Sequence, residues 1–222
     1  MSSQSKFKRY IWELPVRWSH WVNAACIVIL SVTGLFIAYP VSVGKTASDF
    51  YMGWVRFVHF VAAYTFAVSV ASRVAWSFLG NKYAGWREFF PMFYAKGRRK
   101  TLAMLRYYLF IDKDVPEMVG HNPLATTVYT LLFCVYMLMI ITGFTLYSTH
   151  APQGLLFMIF GWVQNIFPMQ VIRLVHHSCM YIIFGFIVNH IYSAWLMDIK
   201  EHGAEISSMF SGYRFTVHKE EE

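Results

Sequence analysis

Four long apolar segments constrain the fold of this chain more than any other feature of its sequence. They cover about residues 18–39, 54–79, 124–147 and 171–197. Each is long enough to cross about 30 Å of hydrocarbon as a helix that rises about 1.5 Å per residue. Because hydrocarbon offers no water to bond the backbone, such segments form helices. We therefore predict an all-α integral membrane protein, a bundle of four transmembrane helices that forms a single domain over residues 1–222.

The charged residues agree with this class and orient the spans. Only 14% of the 222 residues are charged, whereas a soluble domain has about a quarter. Of the 19 Lys and Arg residues, fifteen lie in the N-terminal flank, the loop 80–123 and the tail, and three lie in the other two loops and the span ends that flank them. This bias predicts that both termini and the basic loop face the cytoplasm. The net charge of +7 therefore fits a lipid surface, and we expect no nucleic-acid partner.

Two shorter segments lie outside the spans. Residues 84–110 combine a cluster of Arg and Lys with leucines at helical spacing, which predicts an amphipathic helix on the anionic leaflet. Residues 154–169 are apolar but too short to span, and Gly161 and Pro168 interrupt them. We interpret this second segment as interfacial or partner-facing, with a re-entrant loop as the alternative.

Histidines lie inside the apolar segments, where ionisable side chains are costly and usually mark function. His176 and His190 are fourteen residues apart in the fourth span. At about 100° per residue, that spacing returns to within about 40° of the same helix face, about 21 Å further along. His59 lies at the predicted depth of His176, and His20 lies nearer the depth of His190. Two pairs of imidazoles at two depths are therefore predicted, and His177 does not share their face.

Paired imidazoles suit haem iron, which is held by such axial ligands. The three cysteines form no C-x-x-C-H motif, so any haem is not covalently attached in the c-type manner. Gly34 follows His20 by fourteen residues and could give a macrocycle clearance, although close helix packing is an alternative role. Arg73 follows His59 by fourteen residues and could bind haem propionates, although it could also extend to the lipid interface. A transporter without haem, in which the histidines bind a metal ion or relay protons, is a remote alternative.

A short sequence pattern occurs twice. SVTGLF at 31–36 resembles IITGFT at 140–145, and each lies near the same end of an odd-numbered span. The repetition could be a relic of duplication, or it could mark two independent packing sites of small residues.

Several motifs make the chain resemble the b-type cytochrome subunit of membrane-bound nickel–iron hydrogenases, and the resemblance extends over nearly the whole sequence. The motifs are ELPVRWSHW at 13–21, FYMG at 50–53, GNKY at 80–83, GHNPLA at 120–125, GYR at 212–214, and the fourteen-residue spacing of the last-span histidines. Transferred by position, the haem ligands of the family fall on His20, His59, His176 and His190. The family usually has Arg after the ligand at His176, where this chain has His177.

The resemblance implies a multi-pass subunit of a bacterial inner membrane that binds two haem b groups. Its partners would be the small iron–sulfur subunit and the large nickel–iron subunit of a periplasmic hydrogenase. Electrons from H2 would enter near His59 and His176, pass to the side of His20 and His190, and reduce menaquinone or ubiquinone. The chain would then be an electron-transfer subunit, with H2 chemistry on a partner and quinone reduction at this subunit. Competing assignments are the related subunit of formate dehydrogenase and a free-standing di-haem cytochrome that oxidises quinol.

Two polar residues just before the third span could form the quinone site. Histidine can exchange a proton near neutral pH, so His121 could supply one to the quinone, and Asn122 offers both a donor and an acceptor. Alternatively, Asn122 and Pro123 simply begin the helix, with Asn as the cap and Pro in the first turn.

Overall fold

The computed structural model of the chain describes residues 7–40, 50–86, 90, 94–109, 111–112, 123–201 and 204–216. Most of these residues are helical. Four helices are long and apolar enough to cross a membrane, which confirms the four predicted spans. They are α1 (Leu14–Ala38), α2 (Tyr51–Leu79), α4 (Pro123–Ser148) and α7 (Met169–Glu201). Their ends lie up to four residues from the predicted limits, because the helical backbone continues into the polar residues that flank each apolar stretch.

Four shorter helices lie between and after the spans in the described part of the chain. Helix α3 (Ala95–Tyr108) occupies the basic loop where an amphipathic helix was predicted. Helices α5 (Leu155–Phe160) and α6 (Val163–Ile166) form the short apolar segment, which therefore consists of two brief helices. Helix α8 (Glu205–Ser211) follows the last span.

Two short strands pair the ends of the chain. Strand β1 (Phe7–Tyr10) runs antiparallel to β2 (Tyr213–Thr216), with Phe7 opposite Thr216 and Tyr10 opposite Tyr213. The all-α prediction missed this sheet. The paired strands bring the segments before the first and after the last long helix together, as expected if both ends of the chain lie on the same side of a membrane. Which side they face remains a prediction.

The backbone contacts divide the chain into two compact units. The first unit consists of Met1–Arg17, Trp76–Met137 and Tyr181–Glu222, and the second unit consists of Trp18–Ala75 and Leu138–Met180. Each unit contains a part of all four long helices.

A part-buried carboxylate joins several segments of the first unit. Glu13 Oε2 accepts hydrogen bonds from Trp76 Nε1 and from the Asn81 backbone N–H, both at 2.9 Å. The Asn81 side-chain amide in turn donates to the Ile11 carbonyl oxygen at 3.1 Å. A Cβ added at Gly80 would lie 2.8 Å from Trp76 Nε1 and 2.9 Å from Glu13 Oε2. Two sequence motifs that are far apart, at 13–21 and 80–83, therefore meet at one hydrogen-bonded junction.

Gly212, in the same unit, joins the residues that follow β1 to the start of β2. Its carbonyl oxygen accepts hydrogen bonds from the backbone N–H groups of Ile11 and Trp12, at 2.9 and 3.1 Å. Gly212 has a φ of 87°, and an added Cβ would lie 2.5 Å from the Tyr10 ring. Only glycine fits this left-handed position without strain. The Trp12 indole N–H also donates to Ser208 Oγ at 3.1 Å, which ties α8 to the N-terminal segment.

Candidate haem site

His59 is held by two adjacent residues of α1 in the second unit. The Thr33 hydroxyl lies 2.8 Å from His59 Nδ1, and the same hydroxyl lies 2.6 Å from the Ile29 carbonyl oxygen one turn earlier. Next to it, Gly34 faces the imidazole, and a Cβ at this position would lie in ordinary contact with His59 Cε1, at 3.4 Å. The Thr-Gly pair thus positions one edge of the ring.

His176 is held in the same way by α4. The buried Thr142 hydroxyl lies 2.9 Å from His176 Nδ1 and 2.6 Å from the Leu138 carbonyl oxygen. A Cβ added at Gly143 would lie 3.1 Å from His176 Cε1. The contact is therefore tighter than the one at Gly34, but its geometry is the same.

Aromatic side chains join α2, which carries His59, to α4, which carries Thr142. The Phe60 and Tyr147 rings have centroids 4.3 Å apart, and those of Tyr64 and Phe144 are 5.2 Å apart. Both pairs link α2 to α4, and each contributes about 0.5–1.5 kcal/mol beyond its buried area. Phe144 also packs on Phe160 of α5 at 5.4 Å. Within this unit, α4 therefore contacts both the helix that carries His59, through these rings, and His176 itself, through Thr142.

The other two predicted ligands fall in different compact units. In the second unit, the half-buried His20 makes an edge-to-face contact with Trp21, with centroids 5.0 Å apart. In the first unit, His190 stacks on Phe186 at 5.3 Å with an interplanar angle of 15°, and Tyr129 approaches at 6.2 Å. The pairing of His20 with His190 remains a prediction from sequence spacing.

The structure also gives the positions of the other predicted site residues that it describes. Arg73 is half-buried in α2, and its propionate role remains a prediction, as does haem clearance at Gly34. His177 is exposed, with its ring centroid 6.3 Å from that of His176. His121 and Asn122 lie outside the described residues.

Sequence reasoning did not assign a role to Thr33, Thr142 and Gly143. The signal was present in the repeated Thr-Gly pattern at 31–36 and 140–145. In the structure, each copy of the pattern contacts a different histidine of a neighbouring helix. The repetition therefore marks two equivalent histidine-binding contacts in the second unit.

The residues of the second unit fit a haem. Because Nδ1 of His59 and of His176 contacts a threonine hydroxyl, Nε2 is the ring nitrogen that remains for a metal. Metal-bound histidines usually use their second nitrogen in a hydrogen bond of this kind. Neutral imidazole is also the ordinary axial ligand of non-covalently bound haem. A helical membrane protein with such imidazoles and no covalent attachment motif belongs to the class of membrane cytochromes b.

Comparison with known proteins narrows this class. Residues 11–212 match the family described as prokaryotic cytochrome b561, and the chain belongs to that family. It is 39% identical over 220 residues to a "Probable Ni/Fe-hydrogenase B-type cytochrome subunit" of Cupriavidus necator, covering 96% of this chain and 89% of the relative. It is 37% identical over 221 residues to a "Probable Ni/Fe-hydrogenase 1 B-type cytochrome subunit" of Escherichia coli K12, covering 96% and 93%. A relative of Rhodobacter capsulatus with the same name as the first is 38% identical over 215 residues, covering 92% and 80%.

Proposed function

We propose that this chain is the membrane subunit that carries electrons from a nickel–iron hydrogenase to the quinone pool. The observation that carries the proposal is the pair of equivalent Thr-Gly contacts, which engage Nδ1 of His59 and of His176 and leave Nε2 for a metal, in a chain of the cytochrome b561 family. The names of the relatives supply the partner, since they describe b-type cytochrome subunits of nickel–iron hydrogenases.

Two haem b groups would be held by four histidines. His59 and His176 would hold one group through Nε2, and the fourteen-residue spacing assigns His20 and His190 to the other. Bound haem supplies a one-electron carrier inside the hydrocarbon. Arg73 would bind a propionate through its forked guanidinium, and the missing side chain of Gly34 would give the macrocycle clearance. Apolar helices around the ligands exclude water and favour the neutral imidazole that a metal needs.

The direction of transfer is proposed from the charge distribution. Both termini and the basic loop would face the cytoplasm of a bacterial inner membrane, so His59 and His176 would lie toward the periplasm. The small iron–sulfur subunit and the large nickel–iron subunit would dock on that side. On the cytoplasmic side, His121 and Asn122 would bind the carbonyls of menaquinone or ubiquinone, and His121 would supply a proton.

A reduced-minus-oxidised optical spectrum, combined with haem extraction, tests the cofactor assignment. We expect two haem b groups per chain. His59→Ala and His176→Ala should each remove the same haem, and His20→Ala and His190→Ala should each remove the other. His177→Ala is the matched control and should retain both, because this exposed neighbour lies off the ligand face. A colourless protein would refute the cytochrome function and would return the transporter without haem as the better assignment.

Purification of the intact complex tests the partner. We expect the nickel–iron large subunit and the iron–sulfur small subunit to copurify with this chain, and H2 to reduce its haems in membranes. Recovery of a formate dehydrogenase, with reduction by formate and not by H2, would replace the hydrogenase assignment. Isolation without a partner, together with reduction by quinol, would identify a free-standing cytochrome instead.

A further inference from the structure

The two threonines that contact His59 and His176 have the same hydrogen-bond pattern. Thr33 Oγ1 lies 2.6 Å from the Ile29 carbonyl oxygen and 2.8 Å from His59 Nδ1. Thr142 Oγ1 lies 2.6 Å from the Leu138 carbonyl oxygen and 2.9 Å from His176 Nδ1. Each hydroxyl therefore lies between a backbone acceptor of its own helix and an imidazole of the next helix.

This pattern decides which group supplies each hydrogen. A hydroxyl has one hydrogen to donate, and a carbonyl oxygen has none. The 2.6 Å contacts are therefore hydrogen bonds only if Thr33 and Thr142 donate to their own helix backbones. Their oxygens are then left to accept, and the contact with each imidazole requires a hydrogen on Nδ1. In both rings this tautomer leaves the lone pair on Nε2.

We propose that Thr33 and Thr142 are positioning residues that fix the tautomer and orientation of His59 and His176 and thereby set the redox potential of the haem they bind. This inference rests on the proposed function, because it takes both histidines as axial ligands. The glycine beside each threonine faces the same ring, and at Gly143 the helix backbone approaches more closely than an alanine would allow. The repeated Thr-Gly pattern thus provides a matched hydrogen-bond acceptor for both ligands of one haem.

The hydrogen bond at Nδ1 affects the haem potential because it changes the electron density on Nε2 of the ligand. An Nδ1–H that donates to a hydroxyl makes Nε2 a more basic ligand. A more basic ligand stabilises ferric iron more than ferrous iron and lowers the midpoint potential. Loss of the hydroxyl should therefore raise the potential of this haem, and it should weaken haem binding by about 10- to 100-fold.

The test compares Thr33→Val, Thr142→Val and the double variant in the full complex. Valine keeps the branched shape of threonine and removes the hydroxyl. We expect each single variant to raise the midpoint potential of the haem that His59→Ala removes, and the double variant to raise it further. The electron paramagnetic resonance g-values of that ferric haem should shift as well. Thr33→Ser and Thr142→Ser should restore both readouts, because serine can supply the same acceptor.

Thr65→Val is the matched control. Thr65 lies on the same helix as His59, and its exposed hydroxyl donates to the Val61 carbonyl oxygen at 2.9 Å. This variant should leave both potentials and all g-values unchanged. An equal shift in Thr65→Val would mean that the loss of any helix hydroxyl produces the effect, which would overturn the proposal.

A measurement on the unaltered protein keeps the proposal testable where a valine variant loses its haem. Redox-difference infrared spectra of protein with isotopically labelled histidine should show Nδ1–H bands for two ligands of one haem. Absence of those bands would overturn the proposal. If His59→Ala retains two haems, the proposed function fails. If His59→Ala loses one haem while the valine variants keep their potentials and g-values, only the role of the threonines fails.

Discussion

Glycine-to-alanine substitutions at four positions provide a graded test of how closely the helices approach the ligand rings. A Cβ added at Gly143 would lie 3.1 Å from His176 Cε1, whereas one added at Gly34 would lie 3.4 Å from His59 Cε1. A Cβ added at Gly53 or Gly185 would meet no atom within 4 Å. The four variants therefore differ in the steric load on a ligand while they share the same chemical change.

The magnitude follows from the Gly143 contact. To reach an ordinary separation of 3.4 Å, the His176 ring must move by about 0.3 Å, since carbon atoms attract best at about 3.5–4.0 Å. Overpacking of this kind costs about 1–3 kcal/mol, which corresponds to about 5- to 150-fold in haem affinity. Gly34→Ala keeps an ordinary contact distance to the His59 ring and should not displace that ring. A loss of haem affinity in this variant would instead reflect the macrocycle clearance proposed for Gly34. Gly53→Ala and Gly185→Ala should leave it unchanged, and a helical alanine should add about 0.5–1 kcal/mol to the stability of the fold.

Haem titration of the purified variants measures their relative haem affinities. The g-values of the ferric haem show whether the ligand ring has moved. We expect Gly143→Ala to weaken binding and shift the g-values, and the two control variants to match the unaltered protein. A Gly143→Ala variant that binds haem as tightly as the unaltered protein, or a Gly185→Ala variant as weak as Gly143→Ala, would refute the steric reasoning.

Three further predictions concern other contacts. Gly212→Ala places a Cβ against the Tyr10 ring at a φ of 87°, so it should lower the melting temperature. Limited proteolysis should show faster cleavage in the terminal sheet. Glu13→Ala removes the acceptor of two hydrogen bonds, one of them from Trp76, and should lower the free energy of unfolding by about 2–4 kcal/mol. The haem spectrum should stay that of the wild type, and an unchanged denaturation midpoint would contradict the prediction. His177→Ala should change neither the haem count nor the denaturation midpoint, and a lost haem would move the ligand assignment to this position.

The four spans were predictable because their length and apolar character are set by the bilayer and can be recognised without knowing any contact. The terminal sheet was not predictable in the same way. Each strand has four residues, the strands are separated by about two hundred residues, and their pairing depends on the Gly212 carbonyl. No local pattern in such short segments distinguishes a strand from an extended tail.

The site was predictable to a different degree for each residue. Helical spacing selected His176 and His190 because both lie on one helix at known rotation. The predicted direction of the spans then matched His59 to the depth of His176. The roles of Thr33 and Thr142 depend on the register between neighbouring helices, which the sequence of either helix alone does not contain. The repeated Thr-Gly pattern indicated that two places were alike, and only the contacts identified what they bind.

The strand pair has a consequence for biosynthesis. Phe7–Tyr10 leaves the ribosome before the four long helices, and its partner Tyr213–Thr216 leaves after them. The N-terminal strand must therefore wait, with its edge unsatisfied, until all four membrane helices have been translated. A chain that stops short of residue 213 would keep this edge open, which would give a quality-control protease a way to recognise unfinished copies.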